Sequence, residues 1–335
     1  MAIGAKRVPA QEASRRGASS EEAALGAAAP LLEIEGLRVS FLQYGRGLQR
    51  RTVQALAGVD LSVGAGELVA LVGSSGSGKS LLAHAVMGLL PDNARSSGSI
   101  RYAGEPLDGE RLLRLRGKEL ALVPQGVTYL DPLLRAGEQA LGRQRGPQAR
   151  SRLRAVFSRF GLPERAERLY PHQLSGGMAR KVLVSAAALG GARLVVADEP
   201  TPGMEAGKAA EALQALRELA DGGCGVLLLT HDIEAALRVA DRVAVLYAGE
   251  AVELAAASDF AGAGERLRHP YTRALWQALP ANGFRPLPGV QPAPEEAAAS
   301  CAFAARCGQA APECRAAKPA MRVWRGGQVR CFKPD

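Results

Sequence analysis

The run Gly73-Ser74-Ser75-Gly76-Ser77-Gly78-Lys79-Ser80 puts glycine, lysine and a hydroxyl at the fixed positions of G-x-x-x-x-G-K-[ST]. A chain that wraps round the phosphates of a nucleoside triphosphate must turn its N–H groups inward. Glycines allow that curvature and close approach. A helix opening at the end of the loop presents the positive end of its dipole to the same oxygens. In such a loop Lys79 neutralises the β/γ oxygens and the Ser80 hydroxyl ligates Mg²⁺. Ser74, Ser75, Gly76, Ser77 and Leu81 complete the residues expected along the nucleotide. A glycine/serine linker shares this composition, but a linker does not sit between an apolar strand and a helix.

A second element is Leu194-Val195-Val196-Ala197-Asp198-Glu199, about 120 residues downstream. An apolar strand ending in two acids sets carboxylates at the carboxyl edge of a sheet, where open α/β sheets bind ligands. Asp198 there holds Mg²⁺ through water, and Glu199 polarises the attacking water as general base. The two elements together describe a P-loop NTPase.

The third element, Leu174-Ser175-Gly176-Gly177-Met178, lies about 20 residues before the two acids. It is a glycine turn opening a helix, able to offer N–H groups and the Ser175 hydroxyl to a γ-phosphate. The plain alternative is a helix start, with Ser175 as cap. The segment resembles the signature of the ABC ATPases, usually Leu-Ser-Gly-Gly-Gln, with Met178 in place of the glutamine. That resemblance extends over nearly everything from Leu31 onward. It implies that Gln125, in Val123-Pro124-Gln125, senses Mg²⁺ and the γ-phosphate, and that His231, in Leu229-Thr230-His231-Asp232, is the switch histidine. It implies that Phe41 stacks on adenine, although Tyr44 is close and either ring suits a core. His84, His172 and His269 are expected not to touch nucleotide.

Within the ABC ATPases the chain is most similar to the oligopeptide/dipeptide/nickel importer branch. Met178, His269-Pro270-Tyr271-Thr272-Arg273-Ala274-Leu275, the Pro288-Gly289 connector and the terminal cysteines carry that likeness. In this family two ATPase domains pair head to tail and sandwich ATP between the loop of one and Ser175, Gly176 and Gly177 of the other. The implied partners are a second ATPase subunit, homologous or identical, two transmembrane permease subunits and, indirectly, an extracytoplasmic substrate-binding protein. The implied place is the cytoplasmic face of the plasma membrane, and the implied cargo is peptide or a nickel or metal chelate. Two stretches depart from the family. Thr201-Pro202-Gly203-Met204-Glu205 has Glu205 where an aspartate is usual. Gln125-Gly126-Val127-Thr128-Tyr129-Leu130-Asp131-Pro132, expected near the permease contact, differs from the commoner peptide-importer sequence.

Cys301, Cys307, Cys314 and Cys331 crowd the last 35 residues as C-x5-C-x6-C-x16-C. Clustered thiols in a cytosolic chain favour metal over disulfides. The spacing is wider than the short C-x2–4-C pairs of zinc modules. The resemblance implies a [4Fe–4S] cluster; Zn²⁺ and free thiols are the alternatives. Cys224, among Gly222, Gly223 and Gly225, reads as a bystander in a loop.

The elements that must position these groups follow from periodicity. Leu31–Gln43 and Val53–Val63 alternate as paired antiparallel strands around Tyr44-Gly45-Arg46-Gly47. Glu67–Val72, Leu194–Ala197 and Val226–Leu229 are short apolar runs that fit buried strands. Leu81–Leu90 and Ala206–Ala220 fit helices, Arg143–Arg168 is basic and helix-prone, and Val243–Leu254 fits a hairpin turning near Gly249. Strands alternating with helices indicate a mainly parallel sheet covered on both faces. The expected fold class is α/β: an ABC-type nucleotide-binding domain over 31–255, with an antiparallel β subdomain and a helical subdomain at about 126–180. A flexible leader over 1–30 precedes it, and a cysteine-rich C-terminal extension over 256–335 follows.

Bulk properties exclude several classes. The 335 residues are 47% hydrophobic and only 4% aromatic, with a net charge of +9. Arginine outnumbers lysine 35 to 7, which reads as compositional bias or as a basic face near anionic lipid. Basic stretches without interleaved aromatics argue against a nucleic-acid partner. No stretch is apolar for long enough to span a membrane, and the N-terminus lacks the apolar segment of a signal peptide. Soluble ABC proteins that act in translation or on DNA usually carry two cassettes or long coiled coils, and neither is present. A P-loop kinase or GTPase leaves the signature, Gln125 and His231 without a role.

Overall fold

A computed structural model describes residues 29–44 and 49–335. The leader expected over 1–30 therefore lies almost wholly outside the described residues, as do Gly45, Arg46 and Gly47 of the first turn. The core is the parallel sheet that the apolar runs anticipate. In spatial order it is β6 (Leu120–Val123), β7 (Leu194–Asp198), β8 (Gly225–Thr230), β3 (Leu68–Gly73) and β9 (Arg242–Tyr247). Every residue of β3, β7 and β8 is buried, because helices cover both faces. The register sets Val72 beside Thr230, Asp198 beside Leu229 and Val123 beside Ala197. All the strands thus end at one edge, and the chemistry-bearing residues follow directly from those ends.

An antiparallel layer joins this core. β1 (Leu32–Tyr44) lies between β2 (Arg50–Val63) and β4 (Ala94–Tyr102), and β5 (Glu105–Pro106) pairs with β4. β10 (Glu250–Ala256) turns back on β9 through Ala248 and Gly249, both at positive φ (47° and 75°), the turn that favours a tight hairpin. β4 was not foreseen: Arg95-Ser96-Ser97-Gly98-Ser99 carries little apolar pattern, since much of the strand is exposed.

The helices in chain order are α1 (Lys79–Val86), α2 (Gly109–Leu115), α3 (Ala136–Leu141), α4 (Pro147–Arg159), α5 (Gly176–Gly190), α6 (Ala206–Asp221), α7 (Ile233–Leu237), α8 (Pro270–Gln277) and α9 (Pro312–Ala316). α1 starts two residues before the expected Leu81 and stops before Leu90, where Gly88 turns to φ 62°. The basic stretch Arg143–Arg168 is one helix, α4, only between Pro147 and Arg159. Its buried residues Ala149, Leu153 and Phe157 recur at intervals of four, which puts its arginines on the outer side. Pro163 then restarts the chain as a short 3-10 turn over Glu164–Arg168.

α3, α4 and α5 share a small core of Leu130, Leu153, Phe157, Leu162, Val182 and Leu189. α5 also packs Val184 and Ala187 against Val195, Ala197 and Leu228 of the sheet, so it belongs to both layers. Residues beyond β10 return to the sheet. β12 (Gly327–Val329) pairs antiparallel with β10, and β11 (Arg322–Trp324) pairs with β12. Phe260, Tyr271, Trp276 and Phe303 pack on Tyr247, Val252 and Val72. Arg268, almost fully buried, donates to Glu253, Asp259 and the Trp324 carbonyl, and so fixes the β11–β12 hairpin.

Candidate nucleotide site

The phosphate-type loop joins β3 to α1, as the motif requires. Two of its glycines have direct steric causes. A Cβ at Gly73 would lie 2.6 Å from the Leu246 carbonyl oxygen. One at Gly78, where φ is 104°, would lie 2.5 Å from a Leu56 methyl. Neighbouring strands therefore press the loop against the head of α1, with no room for side chains at those positions. Lys79 folds back over the loop, its ammonium donating to the Gly73 carbonyl at 2.9 Å and the Ser74 carbonyl at 3.2 Å. Ser77 Oγ is buried and, among the described residues, has no hydrogen-bond partner.

The two acids after β7 face this loop. Ser80 Oγ donates to Asp198 at 3.0 Å. One Glu199 oxygen lies 3.7 Å from Lys79 Nζ, and the other lies 2.9 Å from His231 Nδ1. Lys79 and Glu199 are each only 7% exposed in the side chain, whereas His231 is 62% exposed. Glu199 thus links a buried cation to a side chain at the surface. Burial lowers the Lys79 ammonium from its ordinary value, and Glu199 and Asp198 oppose that shift. Burial raises the Asp198 carboxyl, while the Ser80 hydrogen bond, His84 and Lys79 pull it back. Ser80 and Asp198 form a hard-oxygen pair of the kind Mg²⁺ prefers. Gln125 follows β6 with its side chain exposed, two residues beyond Val123 at the same sheet edge. Phe41 is half-buried against the main core, and Tyr44 is 64% exposed beneath the Arg50 guanidinium.

The signature segment meets this cluster only through its helix. Ser175 caps α5, its Oγ accepting from Met178 N at 3.2 Å. Among the described residues no hydrogen bond joins Ser175, Gly176 or Gly177 to the loop. One turn along α5, Arg180 Nη1 donates to the Glu199 carbonyl at 3.1 Å. Arg180 escaped the sequence reading because one arginine among 35 carries no signal of its own. Its position just inside the helix capped by Ser175 was the available clue. Glu205 stands at the head of α6, and Lys208 lies 3.5 Å from its carboxylate.

In the tail, Cys301, Cys307, Cys314 and Cys331 line one small pocket with His269 and Phe303. Among the described residues no group of three or more His, Cys, Asp or Glu side chains is drawn together closely enough to hold a metal ion. Burial raises the Cys301 and Cys307 thiols and pushes Cys331 up to about 11. Cys224 is buried beside β8, with its thiol pushed up to about 11 by burial.

Comparison with known proteins follows the same lines. The ABC transporter family profile matches residues 56–202, and that of the oligopeptide/dipeptide transporter C-terminal region matches residues 252–314. The oligopeptide transport ATP-binding protein AppD of Bacillus subtilis is 33% identical over 90% of this chain and 96% of its own length. The chain belongs to the ABC transporter family, in its oligopeptide/dipeptide branch. The oligopeptide transport ATP-binding protein OppD of Mycobacterium tuberculosis is 37% identical over 87% of this chain, which spans about half (50%) of that relative. Among solved structures, a dimeric ATP-binding cassette in a post-hydrolysis state, bound to ADP and phosphate, superposes with a TM-score of 0.60 at 26% identity. It covers 68% of this chain and 98% of the cassette. The part so covered is the P-loop ABC fold described above, with its mixed sheet and flanking helices.

Proposed function

We propose that this ABC subunit hydrolyses ATP and couples the hydrolysis to peptide uptake through partner permeases. The observation that carries the reading is Glu199, whose carboxylate lies between Lys79 and His231 and beside the Ser80–Asp198 pair. Lys79 neutralises the β/γ phosphates. Ser80 and Asp198 hold Mg²⁺, which when bound supplies positive charge to the phosphate oxygens. Glu199 orients the attacking water and accepts its proton, while His231 steadies the carboxylate and Gln125 approaches the γ-phosphate from the next strand end. Phe41 stacks on the adenine. Ser175, Gly176 and Gly177 leave their own loop unengaged, which supports their serving the ATP of a second, head-to-tail subunit.

Peptide is the cargo favoured by the names of the relatives; a nickel or metal chelate is the alternative. Among the described residues no helix is long and apolar enough to cross a membrane, so the membrane path falls to two permease subunits fed by an extracytoplasmic binding protein. Tyr129, Leu133 and Leu134, exposed just after Gln125, supply an apolar surface for a permease on the cytoplasmic face. For the four cysteines a [4Fe–4S] cluster, with Zn²⁺ as the alternative, is supported by the likeness to the importer family and not by a formed site, since no metal-holding group is drawn together among the described residues.

The test is Glu199→Gln in the full chain. ATP binding is retained, and turnover falls by at least about 100-fold. Full hydrolysis by the variant would refute the general-base role, and wild-type turnover indifferent to the permease pair would refute coupling.

A further inference from the structure

The proline-rich connector after α8 runs back to the phosphate loop. Ser74 Oγ donates to Gln291 Oε1 at 2.9 Å, a contact across 217 residues of sequence. Ser74 occupies a position that the G-x-x-x-x-G-K-[ST] motif leaves free, so its hydroxyl is available for another partner.

The connector is pinned on both sides of Gln291 by contacts that owe nothing to Ser74. On one side Arg306 donates to the Pro288 carbonyl at 2.9 Å and the Leu287 carbonyl at 3.1 Å. The same guanidinium lies 5.9 Å from the centre of the Tyr247 ring. On the other side Arg51 of β2 pairs with Glu295 at 2.6 Å. Behind the connector Tyr271 packs on Tyr247, centroids 4.3 Å apart, and on Phe303 at 5.5 Å. Gln291 is therefore presented to the loop by a scaffold already fixed to β2 and β9.

A loop of three glycines and four serines is costly to order, because each residue fixed gives up backbone freedom. A contact that keeps it near its bound shape reduces the ordering left to the ligand. We infer that Gln291 is a positioning residue for the phosphate loop, acting through Ser74 within the same subunit. The strap from Leu287 to Glu295 holds the loop in the form that receives the nucleotide. The inference rests on the ATP-binding reading of the loop.

The experiment compares wild type, Gln291→Ala, the similarly sized non-acceptor Gln291→Met, Ser74→Ala and the Ser74→Ala/Gln291→Ala pair as full chains. ATP affinity is read by titration with a fluorescent ATP analogue, with KM, kcat and nucleotide-free melting alongside. Gln291→Ala and Gln291→Met each raise the Kd and KM for ATP about 3- to 10-fold, leave kcat within about twofold, and leave the nucleotide-free melting temperature unchanged; Ser74→Ala, at a residue along the nucleotide, raises the Kd at least as much. The pair is no weaker than the weaker single variant, because both remove one interaction. Wild-type affinity in Gln291→Ala, additive losses in the pair, or losses matched by lower nucleotide-free melting each overturn the positioning role. Failure of wild type itself to bind ATP overturns the nucleotide reading instead, and this inference with it.

Discussion

Glu199 sits at φ 47°, in the left-handed region that a glutamate enters at a cost of roughly 1–2 kcal/mol. Two contacts hold it there. Its N–H donates to the Leu229 carbonyl at 2.8 Å, and its own carbonyl accepts from Arg180. The twist turns the carboxylate from the line of β7 toward Lys79 and His231. Arg180→Ala removes one of the two restraints and frees the carboxylate to leave that line. The expected result is a fall in kcat of about tenfold with ATP affinity changed by less than threefold, read from steady-state phosphate release and nucleotide titration. A loss of affinity as large as the loss of kcat would count against this role. At this scale Lys79, Ser80, Asp198, Glu199 and His231 were legible because each directly follows a buried strand or a fixed glycine pattern. Arg180 and Gln291 were not, since each acts on a distant main-chain or hydroxyl group without any local pattern.

At the level of elements, α8 depends on an uncharged histidine. His269 caps the helix, its Nδ1 accepting from Tyr271 N at 3.0 Å, and an acceptor must be unprotonated. Complete burial lowers its pKa to about 3. Glu253 receives the His269 N–H at 2.8 Å, and Arg268 lies beside it. A folded pKa below the unfolded value of 6.5 contributes stability that is present above pH 6.5 and lost as pH falls toward 3. Burial shifts Glu253, Glu250 and Asp198 upward, and their contributions run the opposite way, growing as pH falls. His269→Asn keeps a capping acceptor without the titration. Urea unfolding at pH 6.5 and 4.5 should show the variant losing less stability than wild type, by up to about 1.4 kcal/mol per pH unit. Equal slopes would remove His269 from the account. The buried strands were readable as apolar runs, and the β9–β10 hairpin from its glycine. β4 was not, because an exposed antiparallel strand of serine and arginine looks like a loop until β1 pairs with it. The break between α4 and the turn at Glu164 was signalled by Gly161 and Pro163, but a run of arginines masked it.

Over the whole molecule, the residues beyond β10 complete the sheet that carries the site. Arg330, mostly buried, pairs with Asp60 and donates to the Ala251 carbonyl, tying β12 to β2 and β10. Lys318 pairs with the buried Glu250. The proline-rich texture after Ala256 signalled a change of character but not this return, since strand pairing across such distances leaves no local trace. If the thiol pocket holds a [4Fe–4S] cluster, anaerobically purified full chain contains about four iron and four acid-labile sulfide per molecule. Stripping it with chelator then lowers the melting temperature. Zinc without sulfide, or neither metal, would rule the cluster out.

β12 also has a place in time. It leaves the ribosome after every other described strand of the sheet, its own hairpin mate β11 included. Asp60 waits 270 residues for Arg330. At about 5–20 residues per second, the stretch from Ala256 to Val329 takes roughly 4–15 s to emerge. Throughout that interval the flank of β10 beyond Glu250, where β2 no longer pairs with it, is an edge of unpaired N–H and C=O groups, the form in which nascent chains recruit one another. The strand that closes it, β12, is made long after β10 itself.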